Sequence, residues 1–169
     1  MGDYYQGIVV NYLRADRSIF VNPECYIQIQ PGPQPPKGSS WYCDVLAVDF
    51  GSSPSDPTTV FLCEVSYSES LQRLIKRLKE WNDHWQEIRD ALVKYNRLPA
   101  EWAVRPWLFV PRAKGCAEKL IKALEYIDQD HQLSFKPRIT PLEMVVPWEY
   151  EWDRTEEKPK PDIPRKWSV

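Results

Sequence analysis

Trp41-Tyr42-Cys43-Asp44-Val45-Leu46-Ala47-Val48-Asp49-Phe50 and Thr59-Val60-Phe61-Leu62-Cys63-Glu64-Val65-Ser66-Tyr67 are two apolar, β-branched runs of strand length. Between them Gly51–Thr58 is rich in Ser, Pro, Asp and Gly, the residues that turn a chain. This pattern predicts an antiparallel hairpin. Successive strand residues point to opposite faces. Tyr42, Asp44, Leu46 and Val48 then share one face, and Val60, Leu62, Glu64 and Ser66 share one on the partner. Each apolar face is interrupted by a single acid. A carboxylate inside a core strand is costly unless it is paired, hydrogen-bonded or bound to a cation.

The hairpin's flanks extend the pattern outward. Towards the N-terminus, Ile8, Val9, Tyr12 and Leu13 recur at helical spacing, which predicts a short helix over residues 4–13. Cys25–Gln30 alternates as a strand, and Pro31–Ser40 is too rich in Pro and Gly to be regular structure. Towards the C-terminus, Leu71, Leu74, Ile75, Leu78, Trp81, Trp85, Ile88 and Leu92 form one apolar stripe. That stripe predicts a long helix, N-capped by Ser68 and ending before Pro99. Trp81 and Trp85 lie on it and read as core. Arg105–Val110 is a short strand, Ala113–Asp130 a second long helix, and Lys136–Val146 a weak strand kept to a sheet edge by Pro137 and Pro141.

The order helix, three meandering strands, long helix, strand, helix predicts an α/β domain, a mixed central sheet flanked by helices, over residues 1–148. Residues 149–169 read as a charged tail containing Pro and Trp, without a fold of its own. A length of 169 residues suits one such domain with a real core. The net charge of -2 argues against a globally basic nucleic-acid binder and leaves room only for a local basic face. The N-terminus has no signal-peptide pattern and no apolar run is long enough to span a bilayer, so a cytoplasmic protein with no membrane partner is expected. Cys25, Cys43, Cys63 and Cys116 include no C-x-x-C pair, and His84 and His131 stand far from them. Buried reduced thiols are the expectation.

If the hairpin register sets Asp44 beside Glu64, two like charges sit close together and one carboxyl is pushed to hold its proton unless a cation is present. A hard divalent ion such as Mg²⁺ would resolve the repulsion, and could activate water and stabilise charge on a scissile phosphate. Taken singly, either acid is better explained by a strand end in solvent, or by pairing with Arg73 or Lys76. The two together, at matched parity on consecutive strands, favour a shared site.

Asp44, an apolar run, a loop, and then Cys63-Glu64-Val65-Ser66 at a strand end resemble the PD-(D/E)xK motif of the restriction-endonuclease-like nucleases. The resemblance covers the element order from about residue 4 to residue 130. It implies a Mg²⁺-dependent protein acting on the phosphodiesters of nucleic acid, with Asp44 and Glu64 holding the metal and Asp44, Glu64 and Ser66 as the catalytic set. The motif's proline is Cys43 here, and its lysine is Ser66. Serine cannot supply an ammonium's charge or its proton-transfer chemistry. Lys37, Lys76 and Lys79 are candidate substitutes that spacing does not select. Arg73, Lys76, Arg77 and Lys79 form a basic run that could touch phosphates, although such a run is more often a solvated helix face, balanced here by Glu69, Glu80 and Asp83. The other reading of the chain is a non-catalytic nucleic-acid- or protein-binding domain on the same fold.

Overall fold

The computed structural model describes residues 2–27, 41–68, 70–112 and 115–145. Within them a five-stranded mixed sheet carries helices on both faces. The elements are α1 (Gly2–Arg14), β1 (Ile19–Ile27), β2 (Trp41–Asp49), β3 (Thr59–Val65), α2 (Gln72–Asp83), α3 (Trp85–Asn96), β4 (Ala103–Val110), α4 (Cys116–His131) and β5 (Arg138–Pro141). A 3-10 turn, Leu142–Met144, follows β5. The strands lie in chain order β1-β2-β3-β4-β5. The first three form an antiparallel meander, and β3, β4 and β5 run parallel. Parallel neighbours need a crossover, and α2–α3 and then α4 supply the two of them.

Period-two alternation sorts the side chains into two cores. Leu46, Val48, Val60, Leu62, Leu108 and Val110 face a layer formed by α2, α3 and α4, and pack against Leu78, Trp81, Ile88, Leu92, Leu120 and Leu124. On the other face Val45, Ala47, Phe61, Cys63, Trp107 and Phe109 meet Val9, Val10 and Leu13 of α1. α1 covers that second face together with Leu142 and Val145 after β5. All four cysteines are buried and outside any disulfide, as expected. Trp81 and Trp85 are buried on the stripe, also as expected. No helix among the described residues is long and apolar enough to cross a membrane.

Three expectations need correction. The first strand begins at Ile19 rather than at Cys25, and continues through Pro23. Pro23 is tolerated because β1 is an edge strand, paired only with β2. The long helix is two helices, broken at His84 (φ -121°, ψ 25°). Asn82-Asp83-His84 is a run of poor helix formers, and Asn82 is buried with its Oδ1 accepting the Ser134 N–H at 2.7 Å. Ser68 does not cap α2: Leu71 holds that position without a side-chain cap, and Ser68 Oγ accepts the Ser70 N–H at 3.2 Å instead. Elsewhere the reading holds. The weak last strand is an edge, α3 stops before Pro99, and β2 and β3 pair as the hairpin required. Pro31–Ser40, Lys37, the residues 28–30 of the expected first strand, and the tail from Glu149 lie outside the described residues.

The β2–β3 loop turns on Gly51, at φ +76°. Its N–H is held by Asp49 Oδ1 at 2.8 Å, and a Cβ there would stand 2.3 Å from Asp56 Cβ. Gly51→Ala should therefore lower stability by at least about 1 kcal/mol, read as a shifted denaturation midpoint at unchanged slope.

Candidate active site

The β2–β3 ladder runs from Asp49↔Thr59 to Val45↔Cys63. One step further, at Asp44, backbone pairing gives way. The Asp44 carbonyl accepts from Gln6 Nε2 of α1 at 2.8 Å, and its side-chain Oδ2 takes the Val65 N–H at 2.7 Å. A side chain thus replaces the strand as acceptor, and the two strands splay. Alternation breaks at the same point. Cys43 packs in the helix-side core whereas Val45, two residues on, packs in the α1-side core. The splay opens a cleft of about 570 Å³ between the end of β3 and the start of α2.

Asp44 and Glu64 both line this cleft. Glu64 is only 4% exposed. Its Oε2 forms an ion pair and hydrogen bond with Arg77 Nη1 of α2. Its Oε1 is buried with no hydrogen-bond partner. Burial, and next the nearby Asp44 charge, push the Glu64 carboxyl up to about 8, although the Arg77 guanidinium pulls the other way. Burial also raises Asp44, against the Val65 N–H and the charge of Arg77. Two acids therefore lie near one guanidinium, and one Glu64 oxygen is left without a hydrogen-bond partner.

Ser66 lies just past β3, half-buried in the cleft wall, with its N–H donated to the Phe109 carbonyl at 2.9 Å. The basic run divides. Arg73 and Arg77, four apart on α2, both line the cleft. Lys76 is 80% exposed and lies 3.9 Å from Glu80, while Lys79 reaches over the Tyr126 ring of α4 at 5.9 Å. Neither lysine is part of the cleft lining, so neither stands where the motif lysine would. Gln72 does line it.

Searches of known protein families, curated proteins and solved structures find no match to this chain.

The site must therefore be judged by its own chemistry. Among the described residues no three or more His, Cys, Asp or Glu side chains gather as a metal-binding group. The described residues thus form no protein cage of the kind that zinc or calcium demands. Magnesium differs in keeping most of its water and binding through one or two carboxylates. The pair Asp44 and Glu64, with a roomy cleft and an unpartnered buried oxygen, fits that demand.

Sequence reasoning had placed Arg77 in the basic run without singling it out as the partner of Glu64. It also had no reason to choose Gln6 or Tyr67, which reach the site from α1 and from beyond β3. The only local signal was the four-residue spacing of Arg73 and Arg77, which puts both on one helix face.

Proposed function

We propose that this chain is a restriction-endonuclease-like protein that binds Mg²⁺ at Asp44 and Glu64 and acts on the phosphodiesters of nucleic acid. The reading rests on one observation: two carboxylates from paired strands line one open cleft, and one of them has a buried oxygen without a partner. The element order supports it too, with a helix, a three-strand meander, a crossover and a parallel strand.

Charge decides what the residues can do. Asp44 and Glu64 face Arg73 and Arg77 across the cleft, so the acids do not leave it strongly negative, and a divalent cation at the acids would add positive charge beside a phosphate. The ion would supply Lewis-acid charge at the scissile phosphate and a water made acidic enough to attack. Asp44 is held in place through its backbone by Gln6 and through its carboxylate by Val65. Arg77, half-exposed at the cleft wall, offers a forked positive charge to a phosphate oxygen. Arg73 adds a second, more exposed charge at the same wall. Ser66 offers a hydrogen bond where the motif has an ammonium.

Calorimetric titration with Mg²⁺ or Mn²⁺ at neutral pH tests the proposal. The intact chain should give a binding heat and Asp44→Ala should give none. Cleavage of labelled DNA or RNA should depend on the same ion and vanish in Glu64→Ala, since activity surviving that change is a contaminant's. Absence of any heat from the intact chain overturns the metal site.

A second reading has its own support. The Glu64–Arg77 ion pair already neutralises one acid, and Ser66 stands in place of a lysine. On that reading the domain binds nucleic acid or a protein without cutting anything. Mg²⁺-independent binding of an oligonucleotide, with no product at long incubation, would favour it.

A further inference from the structure

Beside the cleft, three tyrosines from two distant parts of the chain meet. Tyr67, in the cleft wall, lies face to face with Tyr5 of α1, with ring centroids 5.7 Å apart and planes inclined by 14°. Tyr4 meets Tyr5 edge-on at 5.4 Å. Tyr5 is half-buried and ties α1 to the end of β3, which accounts for one ring. It does not account for the other two. Tyr67 is 48% exposed although one of its faces is covered by Tyr5, and Tyr4 is 58% exposed. An aromatic ring left in water beside a polar cleft forgoes the burial that normally favours it. A flat partner stacked on the open face of Tyr67 would recover it. The same cleft wall carries Arg73 and Arg77, which suit a chain of phosphates.

We infer that Tyr67, backed by Tyr5 and Tyr4, is a seat for an unpaired nucleobase, so that the cleft takes single-stranded rather than duplex nucleic acid. Bases inside a duplex have both faces covered by their neighbours and present only edges and backbone. An unpaired base presents its whole face, and stacking on an aromatic side chain accepts any base. The backbone of that strand then passes the arginines towards Asp44 and Glu64. The inference rests on the phosphodiester reading for its direction along the cleft, but its test is separate.

The test is fluorescence anisotropy of the full chain with a labelled oligothymidylate of about 12 nucleotides, a duplex of equal length, and an abasic strand of equal charge. EDTA is present throughout, so that nothing is cut. The single strand should bind at least about tenfold more tightly than the duplex or the abasic strand. Tyr67→Ala should weaken single-strand binding by about 5- to 100-fold, and Tyr67→Phe should leave it intact, because stacking needs the ring and not the hydroxyl. Unchanged melting of both variants shows that the fold survives. Equal or tighter duplex binding overturns the inference, as does a Tyr67→Ala variant that binds normally or a Tyr67→Phe variant as weak as the alanine. The two proposals fail separately. A Mg²⁺ heat with no bound strand removes the platform alone, and the expected strand pattern with no Mg²⁺ heat removes the metal site alone.

Discussion

Replacing Glu64 by Gln should make the protein more stable at pH 8 and remove most of a pH dependence that the native chain shows. The Glu64 carboxyl is held at about 8 in the fold, against 4.5 for the free group, by burial and by the charge of Asp44. Between those values the folded chain keeps a proton that the unfolded chain has lost. Unfolded molecules bind fewer protons there, so stability falls as pH rises through the window, and the full loss is reached above about 8. At about 1.4 kcal/mol per pH unit across that window, the loss is at most about 5 kcal/mol. Asp44 is raised as well, so its contribution has the same sign and sets in at more acid pH. Glutamine keeps the shape and an acceptor for Arg77 but has no proton to lose. Urea unfolding at pH 5, 6, 7 and 8 should give converging curves at the acid end and a growing advantage for Glu64→Gln towards pH 8. Parallel curves would show that the Arg77 charge already satisfies Glu64 in full. Magnesium supplies a second arm. A cation between the two acids favours their ionised forms, so it should restore native stability at pH 8 and do nothing for the glutamine variant.

What could be read from the chain, and what could not, follows from the range of the interactions. β2 and β3 were legible because both cores need their side chains, giving unbroken apolar runs. The acids at 44 and 64 stood out against those runs for the same reason. The beginning of β1 was not legible. Asn22, Pro23 and Glu24 look like loop residues, and only the edge position of the strand makes them admissible. The break at His84 was hidden because the apolar stripe continues through it: Trp81 and Trp85 point inward on both sides of the kink. In the site, four basic residues on α2 look alike in sequence. The crossover from β3 sets α2 so that Arg73 and Arg77 line the cleft, while Lys76 and Lys79 do not. Gln6 and Tyr5 are about 40 and 60 residues from Asp44 and Tyr67, and no local pattern links them. The splay at Asp44 is of the same kind. There a glutamine on α1 donates to the Asp44 carbonyl, and the Asp44 side chain takes the Val65 N–H, beside the cleft.

The opposite face of the sheet carries the other large expected effect, which concerns stability rather than chemistry. Trp107→Ala should cost about 3–5 kcal/mol, enough to unfold a marginal domain. Trp107 is 2% exposed and sits at the centre of the parallel half of the sheet, with Cys63 on one neighbouring strand and Arg138 on the other. Its ring meets Phe61 edge-on at 5.0 Å and stacks near Phe109 at 5.1 Å. The Arg138 guanidinium covers it at 3.9 Å from the ring centre, and its indole N–H donates to Thr140 Oγ1 at 2.9 Å. Removing the ring therefore opens a cavity, and also takes away the aromatic face against which the Arg138 charge is held. Trp107→Phe should retain the stacking and lose the hydrogen bond, at a cost of about 1–2 kcal/mol. Thr140→Val added to the phenylalanine variant should then cost little more, since the hydroxyl it removes has already lost its donor. Full additivity of the two changes, measured by urea unfolding, would show that the indole–hydroxyl bond contributes nothing and that packing alone anchors β5. Glu64 follows Cys63, the β3 partner of Trp107, and by alternation points to the opposite face of the sheet, so the phenylalanine variant should keep the Mg²⁺ binding heat of the intact chain. A variant that loses that heat while remaining folded would mean that the two faces of the sheet are coupled through β3.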